Sequence, residues 1–303
     1  MSSQQGSGPA APPYYLGCPV WASGDWVGTV FRSDAKRPAW LNQYSCAFST
    51  VEGNSTFYGL PSLETAKRWG DETRPGFRFC LKFPRVISHD HELIEADADT
   101  AAFLEVLEAL DQADRLGPSF LQLSPRFSAK QMRWLDAYLR KLPIDYPYAV
   151  EVRHEDFYDS ASGEKELDDL LRELSIDRVI FDSRPLFSAQ PSDEYERESQ
   201  NRKPRSPLRH TTIGQRPMLR IVGRNDVQAT QPWFDEWAPV VAGWINAGLT
   251  PYIFTHAPHD KFAPGHARAF HATLAKQIPT LPPFPTWPGE QEAATKMRQR
   301  TLF

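Results

Sequence analysis

Eight polar residues stand at or beside the ends of short apolar runs: Glu52, Lys82, Gln122, Glu151, Arg153, Asp182, Arg220 and His256. Carboxylates, cations and an imidazole brought into one space can move protons and hold charge. Two carboxylates suit general acid and base roles when one is shielded from water and titrates high while the other stays ionised beside a cation, so Glu52 and Glu151 are the catalytic candidates. Lys82 and Arg220 suit an anionic group such as phosphate or carboxylate, Arg through its planar fork and Lys as a point charge. Buried Glu–Arg pairs can also be purely structural. The set as a whole favours function, because burying this many charges is costly and is tolerated mainly at sites.

The elements that must position these residues follow from the hydrophobic pattern. Short β-branched or aromatic runs alternate with stretches of helical periodicity, which argues for a parallel sheet covered by helices. Eight runs read as strands: Tyr14 to Cys18, Phe48 to Glu52, Phe77 to Lys82, Ser119 to Leu123, Tyr148 to Val152, Arg178 to Asp182, Met218 to Val222 and Tyr252 to Thr255. Phe103, Val106, Leu107 and Leu110 share one helix face, as do Leu167, Leu170, Leu171 and Leu174. Ser128 and Gln131 have the spacing of a capping box before another helix, and the tryptophans from Trp233 to Trp244 recur at helical spacing around Pro239, where a kink is expected. Eight βα units close into a single-domain (β/α)8 TIM-type barrel better than into an open sheet. In such a barrel the strand C-termini open onto one concavity, which makes it the expected pocket.

That architecture leaves three segments over. Residues 1–13 read as a disordered leader, 183–215 as an irregular insert loop after strand six, on the pocket side, and 279–303 as an extended, Pro-rich tail with a turn of terminal helix beyond the barrel of 14–278. Within the insert, Asn201 to Arg209 carries four basic residues and no acidic one. It suits a phosphate-bearing ligand or a nucleic acid, or else pairs with the acidic stretch Asp193 to Glu198 just before it.

Composition narrows the classes. With 303 residues, 41% apolar and 24% charged, the chain is an ordered globular protein, and a net charge of −4 gives no global field for a nucleic acid or an acidic membrane. No apolar run approaches the roughly 20 residues that span a bilayer. Cys18, Cys46 and Cys80 lack the paired spacing of a zinc or redox motif and fit a reducing compartment, so a cytoplasmic location is expected. Cys18 would act as a nucleophile only beside a base, which the sequence does not supply. His89, His91, His256 and His259 could form a metal site with Glu151 and Asp182, but without diagnostic spacing. No metal ligand is assigned, and no motif names a cofactor.

The chain also carries a set of linked motifs: GCPVW at 17–21, VEGNSTFYGLP at 51–61, FRFCLKFPRVISH at 77–89, VEVRHEDF at 150–157, RVIFDSRP at 178–185 and PYIFTHAP at 251–258. In these it resembles the YecE-like family, domain of unknown function 72, over nearly the whole chain after Tyr14. The resemblance implies a TIM-type barrel and brings no reaction or cofactor with it. It adds Trp21, Asn54 and Tyr58 to the expected substrate contacts, with Gly53 offering an unusual backbone angle to aim the last two. The terminal Gln299 to Phe303 resembles the Gln-x-x-Leu-Phe peptide that binds the bacterial sliding clamp, and so could either recruit a protein partner or dock on the barrel itself. Three functions follow from these features: an enzyme acting on a small anionic or sugar-like molecule by carboxylate acid/base chemistry; a metal-dependent phosphodiester hydrolase or nucleic-acid-maintenance factor; or a non-catalytic metabolite-binding or scaffold protein.

Overall fold

The structure, a computed structural model, describes residues 12–158, 162–210 and 212–301. Its eight strands are β1 (Tyr15–Cys18), β2 (Thr50–Gly53), β3 (Arg78–Leu81), β4 (Ser119–Gln122), β5 (Tyr148–Glu151), β6 (Asp177–Asp182), β7 (Met218–Val222) and β8 (Tyr252–His256). All eight runs expected from the sequence are strands, with ends shifted by no more than two residues. The helices between and after them are α1 (Arg37–Ala47), α2 (Ser55–Tyr58), α3 (Leu63–Glu72), α4 (Asp97–Gln112), α5 (Met132–Leu139), α6 (Gly163–Glu173), α7 (Glu194–Arg202), α8 (Val227–Asn246), α9 (Ala263–Gln277) and α10 (Pro288–Thr301).

Each strand lies parallel beside its sequence neighbours, and β1 pairs with β8, giving the order β3-β2-β1-β8-β7-β6-β5-β4. The remaining seam, between β3 and β4, is joined by bridges from Phe79 to Leu116 and from Lys82 to Phe120. The result is a (β/α)8 TIM-type barrel. Because side chains alternate across a strand, each strand sends one set inward and one outward. Tyr15, Cys80, Phe120, Ala149, Val179, Met218, Tyr252 and Phe254 form the apolar inner plug, and the larger second core lies between strands and helices.

The helix faces read from periodicity are the buried ones, Phe103, Val106, Leu107 and Leu110 on α4 and Leu167, Leu170 and Leu171 on α6, except that Leu174 lies just past the end of α6 and is half-buried. The Ser128–Gln131 capping box forms, but it opens a single 3₁₀ turn, Ala129–Gln131, before α5. Helix α8 buries Trp237 and Trp244 and runs through Pro232 and Pro239, both on its exposed side.

Two segments are more ordered than their composition implies. The insert contains α7, capped by Asp193, whose carboxylate accepts from the Glu196 amide at 2.8 Å. Glu196 itself is buried and accepts from the backbone of Ser192 and Asn225 and from the Arg224 guanidinium. Local acid–base pairing does occur, Glu194 with Arg197 and Glu198 with Arg202, but Arg209 instead reaches Glu164 and Asp168 on α6. The tail packs Trp287 into the core, Glu290 meets Arg268 nearer the surface at 2.6 and 2.8 Å, and α10 continues well beyond one turn. Leu302 and Phe303, the last two residues of the expected Gln299 to Phe303 docking motif, and the first 11 residues of the expected leader lie outside the described residues.

Candidate functional site

The inward parity of the plug continues to the strand C-termini, where it changes from apolar to charged. Thr50 is followed by Glu52 on β2, Cys80 by Lys82, Phe120 by Gln122, Ala149 by Glu151 and then Arg153, Met218 by Arg220, and Phe254 by His256. These residues meet. Arg220 donates to Glu52 through Nε at 2.8 Å and Nη2 at 2.6 Å, and through Nη1 to Glu151. His256 Nε2 lies 2.9 Å from Glu52 Oε2, and Asn54 Nδ2 donates to Glu52 Oε1 at 2.7 Å. Gln122 donates to Glu151 at 2.6 Å and accepts from Lys82 Nζ at 2.8 Å. Arg153 pairs with Glu151 as well, with its guanidinium 4.2 Å from the Phe181 ring centroid.

Both glutamates are fully buried, and the expectation that one of them titrates high is not met. Burial alone would raise the Glu52 carboxyl, but Arg220 and His256 overcome it and hold it well below the usual carboxylate range. Burial likewise works against Glu151, where Arg153, Arg220 and Lys82 bring it down to about 2. Every oxygen of the pair faces a donor, so both carboxylates are fixed anions. His256 is pushed down to about 4 by burial against the pull of Glu52; neutral, it donates its Nε2 proton to that carboxylate.

Above this layer lies a cleft of about 790 Å³, lined by Lys82, Gln122, Arg153, Arg220 and His256 at the strand ends and by Tyr195, Ser199, Lys203 and Pro204 of the insert. Lys82 is 8% exposed, donates to the Gln122 amide, and sits 3.7 Å from the centroid of Phe57. Burial and the repulsion of Arg220 push its ammonium down to about 7. Lys203, brought over the barrel mouth by the insert, is pushed down to about 8 by burial and again by Arg220. His89 lines the same cleft, edge-on to Phe57 with centroids 5.0 Å apart, and is pushed down to about 4 by burial and by Lys82.

Two expected contacts are elsewhere. Asp182 has outward parity, since Phe181 is the inward residue at that level. Its carboxylate accepts from Arg184 and, at 2.8 Å, from the indole nitrogen of Trp237 in the layer between strands and helices. Trp21 packs edge-on against Trp69 and Phe79, within the outer core, and not into the cleft. Tyr58 lies at the rim, 83% exposed. Gly53 has no left-handed backbone; a Cβ there would lie 2.5 Å from Leu81 Cδ2, so glycine makes room.

The histidines do not converge. His91 lies 4.0 Å from Asp99, His259 lies 3.9 Å from Asp25, His256 is engaged with Glu52 and only His89 shares its cleft. Among the described residues no group of three or more His, Cys, Asp or Glu side chains is arranged to hold a metal ion. Cys18 is buried, and burial pushes its thiol up, away from the reactive thiolate. No helix among the described residues is long and apolar enough to cross a membrane.

Lys203 and Phe57 are two of the cleft residues not singled out from the sequence. Lys203 lay within the basic run at 201–209, a usable signal for an anion. Nothing local marked Phe57.

The family described as "Protein of unknown function DUF72" matches residues 15–291. The chain is 34% identical over 276 residues to the UPF0759 protein YecE of Escherichia coli (strain K12), covering 91% of this chain and 98% of that protein. The same identity and coverage hold for YecE of Escherichia coli O157:H7. Among solved structures, the DUF72 family protein EF0366 of Enterococcus faecalis V583 superposes with a TM-score of 0.64 at 18% identity, covering 88% of this chain and 97% of that one. TM1631 of Thermotoga maritima MSB8, also a DUF72 family protein, gives 0.63 at 22% identity, with 88% and 99% covered. At these identities the structural likeness establishes the fold.

Proposed function

The chain belongs to the DUF72 family of proteins of unknown function, and from that premise we propose that it is an enzyme acting on a small, polar, anionic molecule. Lys82, and not Glu52 or Glu151, is the group that changes protonation during the reaction. One observation carries this reading. Below the cleft the carboxylates are neutralised by arginines, whereas the cleft wall above them presents Lys82 and Lys203, poised at about 7 and about 8. A group poised near the working pH is what proton transfer requires, and fixed anions do not supply it. Anionic substrate charge is recognised by Arg153 and Lys203, while Glu52 and Glu151 act from beneath by holding Arg220, Gln122 and Arg153 in place.

The experiment is depletion of a pool of small metabolites by the purified protein, followed by mass spectrometry, with Lys82→Met alongside. The expected result is loss of one or a few phosphorylated or carboxylated compounds with the wild-type protein only. If such compounds co-purify or bind but none is consumed, the cleft belongs to a binding protein and the enzymatic reading fails. Consumption of an uncharged sugar in their place overturns the assignment of an anionic substrate.

A further inference from the structure

Lys82 is a buried amine at the seam of the barrel without a carboxylate partner. Among the described residues it makes no ion pair, because the two glutamates beside it are taken by Arg220 and Arg153. Its polar partner is the amide oxygen of Gln122, held in that orientation because the amide nitrogen donates to Glu151 at 2.6 Å. Its other near neighbour is the face of Phe57. A neutral amine is satisfied by this arrangement: one N–H goes to Gln122, one to the ring, and the lone pair is left for an electrophile in the cleft. An ammonium is served less well: the Phe57 face, Glu151 and Glu52 offset part of its charge, but its third donor has no partner among the described residues. A desolvated lysine beside other cations is the usual way an amine becomes a nucleophile toward carbonyl carbon.

A second observation points to the charge of the ligand. Arg153 has a side chain only 9% exposed, and its Nε has no hydrogen-bond partner among the described residues. That atom is closed off from the cleft, but the guanidinium that carries it lines the cleft wall, so an unmet donor and a positive charge stand together where an anion would bind. Arg153 and Lys82 are connected through Glu151 Oε1 and the Gln122 amide, so one small molecule can touch both.

We infer that Lys82 forms an imine with an anionic carbonyl compound, an α-keto acid or a phosphorylated aldehyde or ketone, whose charged group is held by Arg153 and Lys203. The inference rests on the enzymatic reading above and names its substrate class. Nζ attacks the carbonyl carbon, a C–N bond forms, and the π pair moves to oxygen. One amine proton passes to that oxygen, giving a carbinolamine. The C–O bond then breaks as the nitrogen lone pair forms C=N, and the two former amine protons leave with the oxygen as one water. His89, neutral, lining the same cleft and packed edge-on against Phe57, is the group that carries protons between nitrogen and oxygen.

The test is trapping with borohydride, which delivers hydride to the imine carbon and fixes the adduct as a secondary amine for peptide mapping. Two matched pairs of probes are used: glyceraldehyde 3-phosphate against glyceraldehyde, and pyruvate against acetone. The expected result is an adduct on Lys82, formed about tenfold faster with the anionic member of a pair, the worth of one hydrogen bond to a charged group. The pair that shows this difference tells a phosphate from a carboxylate ligand. Saturating inorganic phosphate should slow trapping at Lys82 in the wild-type protein and leave exposed Lys130 unaffected, a comparison that needs no variant to fold. Lys82→Arg should abolish the adduct, and Arg153→Met should remove the preference for the anion. Adducts spread equally over Lys82, Lys67 and Lys130, or unchanged in Lys82→Arg, overturn the inference. Calorimetric binding of the anionic probes without an adduct removes the imine and leaves the anionic-substrate reading standing, whereas absence of both removes the two together.

Discussion

Arg220 holds Glu52 through two parallel hydrogen bonds, Nε to Oε2 at 2.8 Å and Nη2 to Oε1 at 2.6 Å, with both side chains almost wholly removed from water. The third guanidinium nitrogen reaches Glu151, so one cation from β7 ties together anions from β2 and β5 on opposite parts of the barrel wall.

Arg220→Met should therefore cost about 3–5 kcal/mol in urea unfolding at neutral pH, because it leaves buried carboxylates without their main counter-charge. The cost should shrink as the pH falls, since the released glutamates can then take up protons in the folded state. A variant as stable as the wild type would mean that His256, Asn54 and Arg153 already compensate the pair.

Glu151→Gln tests the electrostatics of the cleft. In the folded state Glu151 sits at about 2, below its ordinary value of 4.5, so it contributes stability that is present above pH 4.5 and lost as the pH falls toward 2. The variant should lose this part of the acid sensitivity. Glu151 also supports the Lys82 ammonium, so its loss should move the Lys82 titration below 7, read as a lower pH midpoint for modification of Lys82. An unchanged midpoint would show that the two groups are not coupled.

Asp177, at the opposite end of the barrel, should behave in the reverse sense. It is 1% exposed, accepts from the Arg216 amide at 2.9 Å, and is raised by burial from 3.8 to about 6. A carboxyl raised in this way favours folding while protonated, and the benefit is lost as the pH rises from 3.8 through 6. Asp177→Asn keeps an acceptor for Arg216 and should be about 1–3 kcal/mol more stable than wild type at pH 8, with little difference at pH 3.5. Thermal melts at the two pH values decide this; an equal effect at both would point to packing.

Glu196 fastens the insert to the loop after β7. It is buried, and burial is overcome by Arg224 and by backbone amides, which hold it at about 2. Glu196→Ala should free the segment around α7, seen as faster proteolysis between residues 183 and 215 while the barrel's far-UV spectrum persists. Because Lys203 follows α7 directly, anion binding in the cleft should weaken in parallel. Unaltered proteolysis would show that the remaining contacts, such as Ser183 to the Pro204 carbonyl at 2.7 Å, suffice.

The barrel was legible in the sequence because both of its periodicities are local. Inward and outward residues alternate along each strand, α4 and α6 repeat their apolar faces at helical spacing, and eight such units leave few topologies open. Glu52, Lys82, Gln122, Glu151, Arg153, Arg220 and His256 were likewise found from their positions at strand ends, and they do meet in space.

Asp182 shows where position alone fails. It ends β6 as Glu52 stands near the end of β2, but a shift of one residue exchanges faces, and Phe181 takes the inward place while Asp182 binds Trp237 outside. The order of the insert depended on distant partners, since buried Glu196 is met by the Arg224 guanidinium and the Asn225 amide from the loop after β7. Protonation was decided by tertiary structure altogether. Whether a strand-end glutamate is an acid or a fixed anion depends on burial and on charges from other strands, and here Arg220 arrives 168 residues away from Glu52. The amino-acid sequence determined which groups surround the cleft, because strand parity and helix periodicity are written locally. Only the packed barrel decided that the glutamates pair with arginines and that Lys82 makes no ion pair among the described residues, because those outcomes turn on ångström distances and on the removal of water.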